Sequence, residues 1–180
     1  KTNFNFEAAS NQLSALLPAT ISVQKVFRGD TAPSLVHDQI VSGINQGPLL
    51  VNFMGHGSVE VWTGAPILST LDAAAFNNGP RLPVFFTMTC LNGYYQNPSR
   101  ESMAESFLRT GTGGAVAVWA SSGMTSPEPQ FQMNSALYEQ LFGNQPATLG
   151  EAIRNAKAAS GDRDVLRTWI LFGDPTMKLR

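Results

Sequence analysis

Two apolar runs, each ending in a reactive residue, constrain this chain more than any other feature. Leu49-Leu50-Val51-Asn52-Phe53-Met54 leads into Gly55-His56-Gly57-Ser58, and Leu82-Pro83-Val84-Phe85-Phe86-Thr87-Met88-Thr89 leads into Cys90-Leu91-Asn92-Gly93. The first run does not alternate cleanly between apolar and polar residues, as expected of a strand covered by helices on both faces of a parallel sheet. Cys90 is the only cysteine and His56 is one of two histidines. A disulfide needs two thiols and a thiolate metal site needs several Cys or His ligands, so neither is available to Cys90 within this chain. It is either a small buried hydrophobe or a nucleophile.

The rest of the chain alternates helix and strand signals. Phe6, Ala9, Leu13, Leu16 and Leu17 share one face of a helix predicted over 4–17, which Pro18 ends. Residues 21–27 alternate and are rich in β-branched side chains, which predicts a strand. Ser34 caps a second helix, with Val36, Ile40 and Ile44 on one face and Gly47-Pro48 at its end. A loop over 55–66 and a short helix over 68–76 separate the two apolar runs. After the loop 91–98, Ser99 is expected to cap a helix that ends before Gly111. Residues 114–120 read as another buried strand and 121–130 as a loop. Helices are predicted over 131–142 and 149–159, the second opened by the capping box Thr148-x-x-Glu151. A last strand covers 168–172. This β/α alternation predicts a three-layer α/β/α sandwich with a mostly parallel sheet, in a single domain spanning 1–180.

Composition narrows the function classes. The formal net charge of −1 offers no footprint for nucleic acid or an anionic membrane. No apolar run approaches the roughly 18 residues of a membrane span. Arg28-Gly29-Asp30 reads as turn chemistry, and His37 as a surface residue in the first turn of a helix. Gly111-x-Gly113-Gly114 precedes a strand, whereas a phosphate loop needs a helix N-terminus next. The carboxylates Asp72, Glu101, Asp162, Asp164 and Asp174 show no metal-loop spacing.

In open α/β sheets, ligands bind beyond the carboxyl ends of the strands. His56 and Cys90 each sit just past such an end, and they face one crevice if their strands are neighbours. An imidazole beside a thiol can take its proton and later protonate a leaving amine. The N–H groups of Gly57 and Cys90 are the candidate oxyanion donors. The loops 59–66, 91–98 and 121–130 would meet a peptide substrate, with Trp62, Asn92, Tyr94, Ser121 and Met124 as candidate contacts. Trp62, Tyr94 and Met124 would form apolar walls, unless these side chains simply pack their own loops. The other reading of the pair makes His56 a loop histidine between glycines and Cys90 a buried strand-end residue.

Asn52-Phe53-Met54-Gly55-His56-Gly57-Ser58, followed by Trp62, resembles the histidine motif of the gingipain-type cysteine peptidases, family C25. The segment from Leu82 through Cys90-Leu91-Asn92-Gly93 is similar to their nucleophile segment. Ser102-Met103-Ala104-Glu105-Ser106, Gly114-Ala115-Val116-Ala117-Val118 and the stretch from Thr168-Trp169 to Phe172-Gly173-Asp174-Pro175 resemble later parts of the same domain, in the same order. The resemblance implies a caspase-like fold, a Cys90–His56 dyad, an oxyanion role for Gly57 and a secreted or surface-attached bacterial peptidase. It requires no cofactor; calcium is implied as a structural ion, with no ligands placed on this sequence. Two departures stand out. The loop 121–127 lacks the tryptophan that lines the pocket of arginine-specific members, and neither the strand that precedes the first helix in the family nor its upstream assisting acid is present. The expectation is that a preceding segment or a second chain supplies this strand. Three functions follow: a cysteine endopeptidase, a secretion-linked processing enzyme or transpeptidase using the same dyad, or an inactive peptidase-like module for secretion or protein interaction.

Overall fold

The computed structural model describes residues 3–143 and 147–179. Strands β1 (Leu50–Met54), β4 (Val84–Met88), β5 (Ala117–Ser121) and β6 (Trp169–Phe172) form one sheet in the order β1-β4-β5-β6. The β1–β4 and β4–β5 pairs are parallel, and β6 returns antiparallel to β5. A separate two-stranded ribbon, β2 (Val61–Trp62) with β3 (Leu68–Ser69), stands after β1.

Helices cover both faces. On one face α1 (Phe6–Ser14), α4 (Pro127–Phe142), α5 (Leu149–Ser160) and α6 (Arg163–Thr168) pack Leu13, Met133, Leu137, Ala152 and Val165 against Val84, Phe86, Met88 and Trp119. On the other face α2 (Pro33–Asn45), α3 (Met103–Arg109) and the ribbon pack Val36, Ile44, Trp62, Met103 and Phe107 against Phe85 and Val118. Successive residues of β4 thus serve opposite layers, the period-two geometry of a strand, and all five are buried. The three-layer α/β/α sandwich with a mostly parallel sheet is the architecture expected from the alternation of signals.

Several boundaries differ from expectation. The third helix starts at Met103 with Ser102 as its cap, because Glu105 closes a reciprocal box with Ser102 that Ser99 could not form. Helix α4 begins at Pro127, whose missing N–H costs nothing in a first turn. The short helix expected over 68–76 splits into β3 and a 3₁₀ turn, Thr70–Ala75. Helix α6 precedes β6 where no helix was expected, capped by Asp162, whose side chain accepts from the N–H groups of Asp164 and Val165.

Two differences matter most. Residues 21–27, which read as a strand, belong to no ladder, because no strand pairs with them among the described residues. Strand β1, which reads as buried on both faces, is buried only at Met54, its other four residues being half-buried. The cause is position: β1 is an edge of the sheet.

Candidate active site

The parallel pairing of β1 with β4 sets the geometry. Met54 lies opposite Met88, and the Gly55 N–H donates to Met88 O (3.3 Å), extending the contact one step. His56 and Cys90 are each two residues beyond that pair, at the same carboxyl end of adjacent strands. Ser121, the last residue of β5, reaches the same end opposite Trp169.

His56 is held by a tight hairpin. The Thr63 N–H donates to His56 O (2.6 Å), Ser58 N–H donates to Val61 O (2.9 Å), and Gly57 faces Trp62 across an antiparallel bridge. Gly57 is glycine for a packing reason: a Cβ there would lie 2.7 Å from Thr89 Oγ1 and 3.0 Å from Val61 O. Thr89 therefore packs directly against the Gly57 backbone. On the α1 side the Phe6 ring meets the His56 ring edge-on at 5.2 Å.

The hairpin is welded to the segment after Cys90. Trp62 is 1% exposed and stacks on Phe53 with ring centroids 4.0 Å apart. Its Nε1–H donates to Asn92 Oδ1 (2.7 Å). Asn92 Nδ2 in turn donates to Ser58 O (2.5 Å), and Asn92 O accepts from the Ala104 N–H (3.0 Å). One buried amide thus ties the histidine loop, the cysteine loop and the start of α3 together. Buried polar groups with every bond made rigidify a site in this way.

Cys90 is half-buried and in no disulfide. Its thiol donates to Thr125 O (Sγ···O 3.5 Å), a carbonyl that also accepts from Gln130 Nε2 (3.3 Å). Leu91 follows with φ of 61°, a left-handed conformation that costs an L-residue roughly 1–2 kcal/mol. The Leu91 N–H to Gly123 O bond (3.2 Å) and the Gly93 N–H to Ser121 O bond (2.9 Å) hold this turn against the end of β5. Among the described residues the N–H groups of Gly57 and Cys90 make no backbone hydrogen bond.

The candidate substrate contacts divide sharply. Trp62, Asn92 and Ser121, expected to meet a substrate, are instead 1%, 0% and 0% exposed, and their polar atoms are bonded within the protein. Ser121 Oγ donates to Gly123 O (3.0 Å) and lies 2.9 Å from Thr168 Oγ1, so it shapes the loop from below. Trp62 forms part of the core and no wall of the crevice. Tyr94 is half-buried, and Met124 is 70% exposed beside Thr125. A groove next to Thr125 is lined by Met124, Ser126, Asp162 and Asp164. Phe6, Thr89 and Thr125 lie beside His56, Gly57 and Cys90 respectively without having been singled out in the sequence. Only Thr89, next to Cys90, carried a signal.

His37 lies elsewhere. It bridges Asp38 (3.0 Å) and Asp72 (3.1 Å), and the bond to Asp38, with the help of Asp72, holds its pKa above the ordinary imidazole value. Its role is to tie α2 to the 3₁₀ turn. Among the described residues no three or more His, Cys, Asp or Glu side chains gather as a metal site, and no helix is long and apolar enough to cross a membrane.

The α/β sandwich with its mostly parallel sheet is a caspase-like fold, and it places a histidine and a cysteine at neighbouring strand ends. The profile of peptidase family C25 matches residues 1–180, and the chain belongs to that family. It is 30% identical to gingipain R2 of Porphyromonas gingivalis over 162 residues, covering 82% of this chain and 22% of that protein. The same identity holds to gingipain R1 of that organism, of which the chain covers 16%. The crystal structure of the Arg-specific cysteine proteinase gingipain R superposes with a TM-score of 0.82 at 26% identity, over 97% of this chain and 42% of that one. The complex of the pro- and mature domains of P. gingivalis RgpB gives 0.81 at 26% identity, covering 97% and 43%. The chain therefore spans well under half the length of these relatives.

Proposed function

We propose that this chain is the core of a cysteine endopeptidase, with Cys90 as nucleophile and His56 as acid and base. The observation that supports this reading is the placement of both residues two positions past the paired Met54 and Met88 on adjacent parallel strands. The Cys90 S–H proton passes to a ring nitrogen of His56, breaking the contact with Thr125 O. The thiolate attacks the scissile carbonyl carbon, and the C=O electron pair moves onto oxygen, which the N–H groups of Gly57 and Cys90 receive. Collapse expels the amine, which takes its proton from the imidazolium. Water, deprotonated by His56, then cleaves the thioester. An acceptor amine in place of water makes the same acyl-enzyme a transpeptidase. Calcium, if bound as a structural ion, enters none of these steps.

The substrate is a protein or peptide, and a secreted or cell-surface bacterial setting is part of the proposal. The inactive-module reading draws on one observation, the half-buried edge strand that carries His56. Completion of the sheet by a preceding segment or a second chain answers it. The test is labelling with a panel of thiol-directed peptidyl electrophiles that vary the P1 side chain, on wild type, Cys90→Ala and His56→Ala. Wild-type labelling lost in both variants supports the dyad; wild type inert to the whole panel overturns it.

A further inference from the structure

A circuit of contacts runs around His56 and Cys90 on one face of the sheet. Cys90 turns toward the α1 and α4 layer, where its thiol donates to Thr125 O (Sγ···O 3.5 Å). Thr125 is held from α4. Gln130, 2% exposed near the start of that helix, donates through Nε2 to Thr125 Oγ1 (2.9 Å) and to Thr125 O (3.3 Å). Phe131 is the next residue of α4, and its ring centroid lies 6.3 Å from that of Phe4. Phe4 lies 5.0 Å from Phe6, and Phe6 meets the His56 ring edge-on at 5.2 Å. The circuit closes through the adjacent strands β1 and β4, which lead into His56 and Cys90.

This rim is mainly apolar. On one arc Phe4, Phe6 and Phe131 are half-buried: each rests on the core of the α1 and α4 layer and keeps part of its ring in solvent. The other arc ends in Met124, 70% exposed beside Thr125. Single exposed apolar side chains are ordinary, but a set of them around a polar pair marks a binding surface. Two nearby carboxylates are engaged within the protein. Glu7 Oε1, next to Phe6, accepts from the Gly29 N–H (3.2 Å), and Asp162 Oδ1 accepts from the N–H groups of Asp164 and Val165. Asp162 and Asp164 also stand in the groove beside Met124, where they would draw a basic side chain.

We propose that the rim is the subsite for the P1 side chain and takes a large apolar one, aromatic or branched aliphatic, against Phe6 and Met124. The assignment rests on reading Cys90 and His56 as a dyad. Apolar P1 atoms gain by leaving water against these side chains. A charged P1 loses hydration there and finds no opposite charge on the phenylalanine arc.

The test labels Cys90 of the full-length protein with peptidyl chloromethyl ketones that share one sequence and differ only at P1, which is Phe, Leu, Ala, Arg, Lys or Asp. Phe and Leu are expected to react at least about 10²-fold faster than Ala, the range that a few buried methylenes supply, and faster than the three charged side chains. Phe6→Ala is expected to cut the preference for Phe over Ala by about tenfold or more, and Phe6→Tyr, which keeps the ring, to retain it. Each preference is a ratio within one protein, so a variant that folds less well still reports it. Fastest labelling by Arg or Lys puts P1 in the acidic groove and overturns the apolar subsite while the dyad stands. Equal rates for Phe and Ala overturn it as well. A preference that survives Phe6→Ala undiminished overturns the phenylalanine arc as its seat. Labelling by no member of the panel overturns the dyad, and the subsite with it.

Discussion

The hairpin at 55–63 and the loop at 122–126 both border Cys90, but the large side chain of one is buried in the core and that of the other faces solvent. Asn92 joins the hairpin to the cysteine turn through Trp62 Nε1 and Ser58 O, beneath a tryptophan that is 1% exposed. The second loop meets Cys90 through one long contact to Thr125 O and presents Met124 70% exposed. Both stretches hold a large side chain among small and polar residues, so their sequences look alike. Burial separates them. The cross-linked side has the properties needed to hold His56 and Gly57 in a fixed geometry. The exposed side has those of a surface on which side chains vary without cost to the fold.

The comparison can be broken at five points. Cys90→Ala is expected to abolish labelling and His56→Ala to slow it by about 10²-fold or more, with the thermal midpoint of each nearly unchanged; large unfolding in either would mean that the pair is structural. Trp62→Ala removes a stacked core ring and should cost about 3–5 kcal/mol in a denaturant titration. A loss near zero would return Trp62 to the crevice wall. Asn92→Ala leaves the Trp62 Nε1–H and Ser58 O without their partner, for about 1–3 kcal/mol, and should slow Cys90 labelling as the hairpin loosens. Met124→Ala should change stability by less than about 0.5 kcal/mol while altering the ranking of P1 side chains in the electrophile panel; an unaltered ranking removes Met124 from the substrate surface. The smallest effect belongs to His37. Its folded pKa is raised, so the protonated ring stabilises the fold fully below its unfolded pKa, and that contribution is lost as pH rises through the folded value. The partly exposed pair limits the effect to about 1 kcal/mol or less. The thermal midpoint of wild type relative to His37→Ala should therefore narrow between acidic and mildly alkaline pH, and a difference that widens would refute the bridge.

Much of the fold was legible because its signals are local. The capping box at Thr148 and Glu151 forms as written, since both partners lie within one turn. The unbroken apolar run at 84–88 became a fully buried strand for the same reason, each residue carrying its own preference for the interior. The ribbon of β2 and β3 was not legible: two residues per strand leave no period to detect, and pairing across a turn decides them. Residues 21–27 show the converse failure. Their pattern is that of a strand, but a strand exists only when a neighbour accepts its hydrogen bonds.

What the amino-acid sequence determined alone is the alternation of elements, and the position of an imidazole and a thiol just past the ends of two apolar runs. Those follow from side-chain size, branching and spacing, which travel with the chain. Which runs become neighbours is a non-local matter. The pairing of Met54 with Met88 brought His56 and Cys90 to one end of the sheet. The same assembly buried Trp62, Asn92 and Ser121, left Met124 in solvent, and placed β1 at an edge that an equally apolar sequence could not announce. Burial and register are properties of the whole packed chain, so only the tertiary structure could assign them.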